Sequence, residues 1–107
     1  MSKRTMSYIK RCSPIFSMLQ DVRRQEILQI LFENAELSVT ELTNQLCLSR
    51  PAVSHHLKLL LDAKLVAVRQ EGKERYYQID LRGALELLKG LTDSLETDLK
   101  ALEERKR

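Results

Sequence analysis

The sequence predicts a mainly α-helical domain with one small β-hairpin, and three observations support this fold class. The chain has 107 residues but only two prolines and three glycines, so few residues interrupt helices. Apolar residues recur at helical spacing over most of its length. Two β-rich runs stand close together on either side of Gly72. We therefore expect a single domain over residues 1–107.

The composition excludes several classes of protein. With 43% hydrophobic and 31% charged residues, the chain should fold rather than stay disordered. Its longest stretch without a charged residue, Cys12 to Gln20, is far shorter than the roughly 20 apolar residues that span a bilayer. No apolar signal segment follows Lys3 and Arg4, and two cysteines cannot form a disulfide framework. We expect a cytoplasmic protein with no membrane partner.

A helix is predicted from Val22 to Phe32, where apolar residues form a broad stripe. Asp21 is a good N-cap for this helix, because its side chain can accept from the free N–H groups of the first turn. Asn34 is expected to end it.

A helix-turn-helix is predicted over about residues 38–62. Ser38 or Thr40 can cap the first, short helix, and Glu41 stands three residues after Ser38, as in a capping box. The second helix begins after Ser49, with Pro51 in its first turn. Its apolar residues recur at i, i+4, i+7 and i+8 and predict one buried face: Val53, Leu57, Leu60 and Leu61.

A wing is predicted over about residues 65–79. The β-rich runs 65–70 and 74–79 are separated by Glu71, Gly72 and Lys73, and the glycine can supply a positive φ at the turn. This order of elements is that of a winged helix-turn-helix domain.

A long final helix is predicted over residues 81–104. It carries a heptad-like leucine seam, namely Leu81, Leu85, Leu88, Leu95, Leu99 and Leu102. A lone domain of this size has little surface on which to bury so long a stripe, which favours a homodimer held by about residues 5–20 and 81–104. The alternative is a helix that folds back on its own core.

Charge alternates strongly along the chain. Residues 1–24 carry a net charge of +5, residues 25–48 of −4 and residues 49–79 of +3. This pattern indicates a basic face that could meet nucleic acid, although ordinary solvated surface would also fit it.

The exposed face of the second helix of the helix-turn-helix points to DNA. With Val53 and Leu57 buried, the side chains left to point outwards are Arg50, Ser54, His55 and Lys58. Arg50 could contact guanine in bidentate fashion. The alternative is a helical dimeric adaptor that binds another protein and no DNA. An enzyme is not expected, since the sequence has neither a phosphate loop nor a nucleophile with a base.

Three segments, 48–60, 63–66 and 71–77, contain the patterns Val-Ser-x-His-Leu, Leu-Val and Gly-x-x-x-Tyr-Tyr. In order and spacing they resemble the ArsR family of small bacterial winged-helix repressors, and the similarity covers about residues 15–80. The resemblance implies a homodimer that binds a palindromic operator and releases it when a signal is sensed. By position it also implies these DNA-facing residues: Ser49, Arg50, Pro51, Ser54, His55 and His56, with Lys73 and Arg75 in the wing.

The metal sites of that family are not expected here. Its thiolate positions hold Ser38 and Thr40, which are poor ligands for soft ions. Its second site falls on Asp80, Arg82, Asp93 and Glu96, where an arginine opposes a cation and no imidazole remains. His55 and His56 point about 100° apart on a helix and cannot easily share an ion. His55 is expected to contact DNA, whereas the alternative for His56, at the margin of the core, is a packing and hydrogen-bonding role. We expect no metal and no cofactor.

Cys12 and Cys47 are the two thiols that could sense a signal. Lys10 and Arg11 beside Cys12 would favour its thiolate, and we expect its segment to be exposed, so a redox or electrophile switch is one hypothesis. The other is that both are unreactive structural thiols.

Overall fold

The computed structural model describes residues 1–106, which form five helices and a three-stranded antiparallel sheet. The helices are α1 (Lys3–Leu19), α2 (Val22–Glu33), α3 (Val39–Asn44), α4 (Arg50–Asp62) and α5 (Arg82–Arg105). The strands are β1 (Leu37–Ser38), β2 (Val66–Glu71) and β3 (Glu74–Ile79), in the sheet order β1-β3-β2. The predicted fold class, a mainly α-helical domain with a hairpin wing, is confirmed.

The predicted helix caps are present. The Asp21 side chain accepts from the backbone N–H groups of Arg23 and Arg24 at 2.8 and 3.2 Å, and the Arg24 bond contributes most to holding the pKa of Asp21 below its usual value. Ser38 and Glu41 bond reciprocally at 3.1 and 2.9 Å as a complete capping box. The backbone N–H of Ser38 likewise lowers the pKa of Glu41. Local sequence therefore sets where α2 and α3 begin.

The core lies where α2, α3, α4 and the sheet meet. Val53, Leu57 and Leu60 of α4 are fully buried, as predicted, whereas Leu61 is half-buried. Other elements complete the core with Ile15, Ile27, Leu31, Leu37, Val39, Leu42, Leu65, Val66, Tyr77 and Ala84.

The sequence did not predict β1. Leu37 and Ser38 pair with Tyr77 and Tyr76 of β3, so the hairpin continues into a third strand that leads directly into α3. Two residues are too few to produce an alternating pattern in a sequence. The consequence is that the wing is hydrogen-bonded to the start of the helix-turn-helix.

Helix α5 folds back along α1, but not through the leucine seam. Thr5 and Ser94 are buried and joined through their hydroxyls, and the Tyr8 ring packs on Gly90. Asp98 accepts from the Thr5 hydroxyl at 2.7 Å, and this bond contributes most to lowering the pKa of Asp98. In the leucine seam, Leu81, Leu85, Leu95, Leu99 and Leu102 remain 40–54% exposed.

The two helical glycines of α5 provide a test of this packing. A Cβ at Gly83 meets nothing within 4 Å, whereas a Cβ at Gly90 would overlap the Tyr8 ring. Gly83→Ala should stabilise the protein by about 0.5 kcal/mol through helix propensity. Gly90→Ala should destabilise it by about 1 kcal/mol, because overpacking against Tyr8 outweighs the same gain. Urea denaturation at one fixed protein concentration measures both, and a stabilising Gly90→Ala would contradict the packing.

Candidate nucleic-acid interface

Helix α4 presents a polar face opposite its buried one. The Ser49 hydroxyl caps the helix by accepting from the Ala52 N–H at 3.3 Å. Of the predicted DNA-facing residues in this region, Ser49, Arg50, Pro51, Ser54, His55 and Lys58 are exposed and His56 is half-buried. Because Val53, Leu57 and Leu60 are fixed in the core, the direction of this polar face is fixed as well.

The wing turns at Gly72 and Lys73, between Glu71 and Glu74 of the paired strands. Gly72 has a φ of +61°, a conformation that L side chains rarely adopt, so a glycine is favoured there. Lys73 and Arg75 are exposed. Arg75 and the buried Tyr77 share one face of β3, since they are two residues apart.

A basic groove runs between α4 and the wing. It is lined by Arg50, Ser54 and Lys58 from α4 and by Lys73 and Arg75 from the wing, with Val39, Leu61, Asp62 and Tyr77 completing its walls. Two separate sequence segments, residues 50–58 and 73–75, thus contribute four cations to one depression. Within residues 1–106 none of these four cations forms an ion pair, so their charge is available to an anionic partner.

The opposite face of the wing differs in its electrostatics. Arg69 pairs with Glu36 and with Glu71, both at 2.7 Å, and stacks over the Tyr76 ring at 4.7 Å. The bonds to Glu36, more than those to Glu71, raise the pKa of Arg69, which stays charged. Its charge is balanced within the chain, and it holds the wing to the residue that precedes β1.

The two histidines occupy different environments. His55 is exposed, whereas His56 is half-buried and its Nδ1 is buried without a hydrogen-bond partner in the described part of the chain. Their ring centroids lie 6.3 Å apart with the rings tilted by 52°. Five of the nine residues predicted to face DNA line the basic groove. The other four do not, namely Ser49, Pro51, His55 and His56.

The exposure expected for the segment of Cys12 is wrong for the Cys12 side chain. Its side chain is fully buried, because it lies on the same side of α1 as Thr5 and Ile15, which are also buried. Cys47 is exposed in the turn between α3 and α4, two residues before Ser49. Both thiols are free.

Residues 1–106 contain no cluster of three or more histidine, cysteine or acidic side chains that could hold a metal ion. The Ser38 hydroxyl is used in the capping box, and the Thr40 hydroxyl accepts from Arg50. Nor does the same stretch contain a helix with both the length and the apolar character needed to cross a membrane.

The contact between Thr40 and Arg50 was not foreseen. Nη1 of Arg50 donates to Oγ1 of Thr40 at 2.5 Å, which joins the first turns of α3 and α4. The two residues are ten positions apart and belong to different helices, so no periodicity or spacing rule relates them. Only the fold of the helix-turn-helix brings them together.

Comparison with known proteins places this architecture among bacterial regulators. A model of the arsR family of bacterial regulatory proteins matches residues 21–68. The arsenical resistance operon repressor of Staphylococcus aureus is 40% identical over 75 residues, which are 70% of this chain and 70% of that protein.

Solved structures with similar folds include an ArsR-like transcriptional regulator from Rhodococcus sp. RHA1. It superimposes with a TM-score of 0.72 at 26% identity, over 97% of this chain and 94% of that one. A second is the homodimeric winged helix-turn-helix DNA-binding domain of a possible ArsR-family regulator from Mycobacterium bovis. It has a TM-score of 0.69 at 25% identity, over 87% and 88% of the two chains.

Proposed function

Because the chain belongs to the arsR family of bacterial regulatory proteins, we propose that it is a homodimeric transcriptional repressor that binds a palindromic operator. At a coarser level the family relationship makes it a DNA-binding regulator with a winged helix-turn-helix fold. The observation that carries the proposal is the basic groove, which holds two cations from α4 and two from the wing, none of them in an ion pair within residues 1–106.

In the proposed complex, the N-terminal half of α4 enters the major groove. Ser49, Arg50 and Pro51 begin the helix, and Ser54 and His55 follow one turn later, so these side chains approach base edges. The Arg50 guanidinium can contact O6 and N7 of a guanine. His56, which is half-buried, supports the helix from its margin. The cations further along the basic groove of the protein are Lys58, Lys73 and Arg75. They contact DNA phosphates or enter the minor groove of the DNA.

A second copy of the chain is the proposed partner of the leucine seam. Five of the six seam leucines are exposed, and Leu88 is half-buried. The apolar groove that Leu81, Leu85 and Leu88 line continues onto α2 through Leu28 and Phe32, of which Phe32 is 70% exposed. A contiguous exposed apolar surface along two helices, here α5 and α2, is typical of a protein–protein interface. A two-fold dimer would place its two α4 helices in half-sites one helical turn apart, about 34 Å.

The proposed signal for release is modification of a thiol. The burial of Cys12 disfavours it as the first residue to react, whereas Cys47 is exposed beside the start of α4. An adduct on Cys47 would add bulk next to the N-terminal turn that the proposed complex brings to DNA.

The proposed function is tested with the purified protein and duplexes from its own upstream DNA. We expect a mobility shift on one such duplex and much weaker binding to a scrambled duplex of equal length. Equal binding of both would leave only non-specific affinity, and no binding of either would favour the adaptor hypothesis.

The wing offers a matched pair of variants. Lys73→Ala should weaken binding of all duplexes about equally and reduce the salt dependence, the slope of log K against log salt, by roughly one unit. Arg69→Ala removes the same charge from the same hairpin, but that charge is already balanced by Glu36 and Glu71. It should leave the salt slope unchanged. A titration of affinity against salt measures both, and equal slopes for Lys73→Ala and the unmutated protein would exclude Lys73 as a phosphate contact.

The dimer is tested by placing a charge in the leucine seam. Leu95→Glu should give monomers, because the interface would then bury an unpaired carboxylate. Thr97→Glu adds the same charge about 200° away around α5 and should leave the dimer intact. Sedimentation equilibrium at micromolar concentration distinguishes them, and a monomeric unmutated protein would contradict the proposed assembly.

The two thiols should differ in reactivity. A maleimide should label Cys47 rapidly in the folded protein, whereas Cys12 should react only after unfolding, because it is buried. Mass spectrometry of the folded and urea-unfolded protein counts the labelled sites. Cys47→Ser should then abolish any loss of DNA binding on treatment with electrophiles, whereas Cys12→Ser should not.

A further inference from the structure

Thr40 is not among the predicted DNA-facing residues, yet its hydroxyl bonds directly to Arg50. We propose that Thr40 is a positioning residue that holds the Arg50 guanidinium in the orientation in which it contacts a base. This inference rests on the proposed function, because it concerns how one residue of that site achieves sequence specificity.

An exposed arginine on its own is poorly oriented. Its long side chain has considerable rotamer freedom, which must be lost when it engages a base. The bond from Nη1 to Thr40 Oγ1 restricts the guanidinium before DNA arrives. Arginine has five N–H donors and this bond uses one, so the donors needed for a bidentate contact with guanine remain available.

The residue that holds Arg50 is itself firmly placed. Thr40 lies in the first turn of α3, between the ends of the capping box made by Ser38 and Glu41. The residues on the inner side of that turn, Val39 and Leu42, are buried. Ser38 is also part of β1, which pairs with the wing. Threonine is β-branched and stiff at χ1, so its hydroxyl has few alternative positions.

The chemistry of the acceptor matters as well. A hydroxyl orients a guanidinium and leaves its charge unbalanced. A carboxylate would orient the guanidinium and also neutralise its charge. Arg69 illustrates the second case, since Glu36 and Glu71 balance its charge. In the described part of the chain Arg50 has no carboxylate partner, so it keeps its full charge for DNA.

The test is a double-mutant cycle read by fluorescence anisotropy, with an upstream duplex that the unmutated protein binds and a random duplex of equal length. Thr40→Val removes the hydroxyl at nearly constant shape and should weaken specific binding about three- to tenfold, with less than about a twofold effect on random DNA. Thr40→Ser restores an acceptor and should recover most of the loss. In the Arg50→Ala background, Thr40→Val should have no further effect.

Three results would overturn the inference while leaving the proposed function in place. The first is unchanged specific affinity for Thr40→Val. The second is an equal loss on both duplexes with an unchanged salt dependence, which would make the uncharged Thr40 hydroxyl a direct phosphate contact. The third is an undiminished effect in the Arg50→Ala background.

Thr40→Ala repeats the test should Thr40→Val fail to fold by circular dichroism. Failure of the unmutated protein to bind any duplex would instead overturn the proposed function, and this inference with it.

Discussion

The burial of one face of α4 is the constraint on which the rest of this structure depends. Val53, Leu57 and Leu60 have no exposed surface, and each fully buried side chain of this size contributes about 1.5–3 kcal/mol relative to an exposed one. Rotating α4 about its axis would bring these residues into water. The direction of Arg50 and Lys58 is therefore a consequence of apolar packing on the other side of the helix.

The wing depends on a second set of contacts that has no counterpart in local sequence. Strand β1 ties β3 to the start of α3, and the Arg69–Glu36 pair joins β2 to the chain just before β1. An exposed ion pair alone contributes little to stability, but here it supplements a hydrogen-bonded strand. The pairing of β1 with β3 keeps Lys73 and Arg75 beside α4, so that cations from separate segments form one groove.

Helix α5 uses two different faces for two different contacts. Small and polar residues such as Gly90 and Ser94 allow α5 to pack closely on α1. The leucine seam lies on a neighbouring face and is left exposed. The two alternatives considered for α5, folding back within the chain and pairing with a second copy, therefore do not exclude one another, because they use different faces.

The sequence by itself determined the features that depend on neighbours within about four residues: the caps at Asp21, Ser38 and Ser49, the buried face of α4, and the turn at Gly72. Helical periodicity and capping are local, so they can be read directly from the order of residues. The family resemblance, carried by motifs in α4 and the wing, also belongs to the sequence.

Only the tertiary structure decided which surface each face meets. The burial of Cys12, the pairing of β1, the balanced charge of Arg69 and the bond between Thr40 and Arg50 each join parts of the chain that no local rule relates. Charged neighbours suggested an exposed Cys12, but its position on the face of α1 that packs inwards overrode them. The physical reason is common to all four cases: they depend on contacts between elements, and those exist only once the core has fixed how the elements pack.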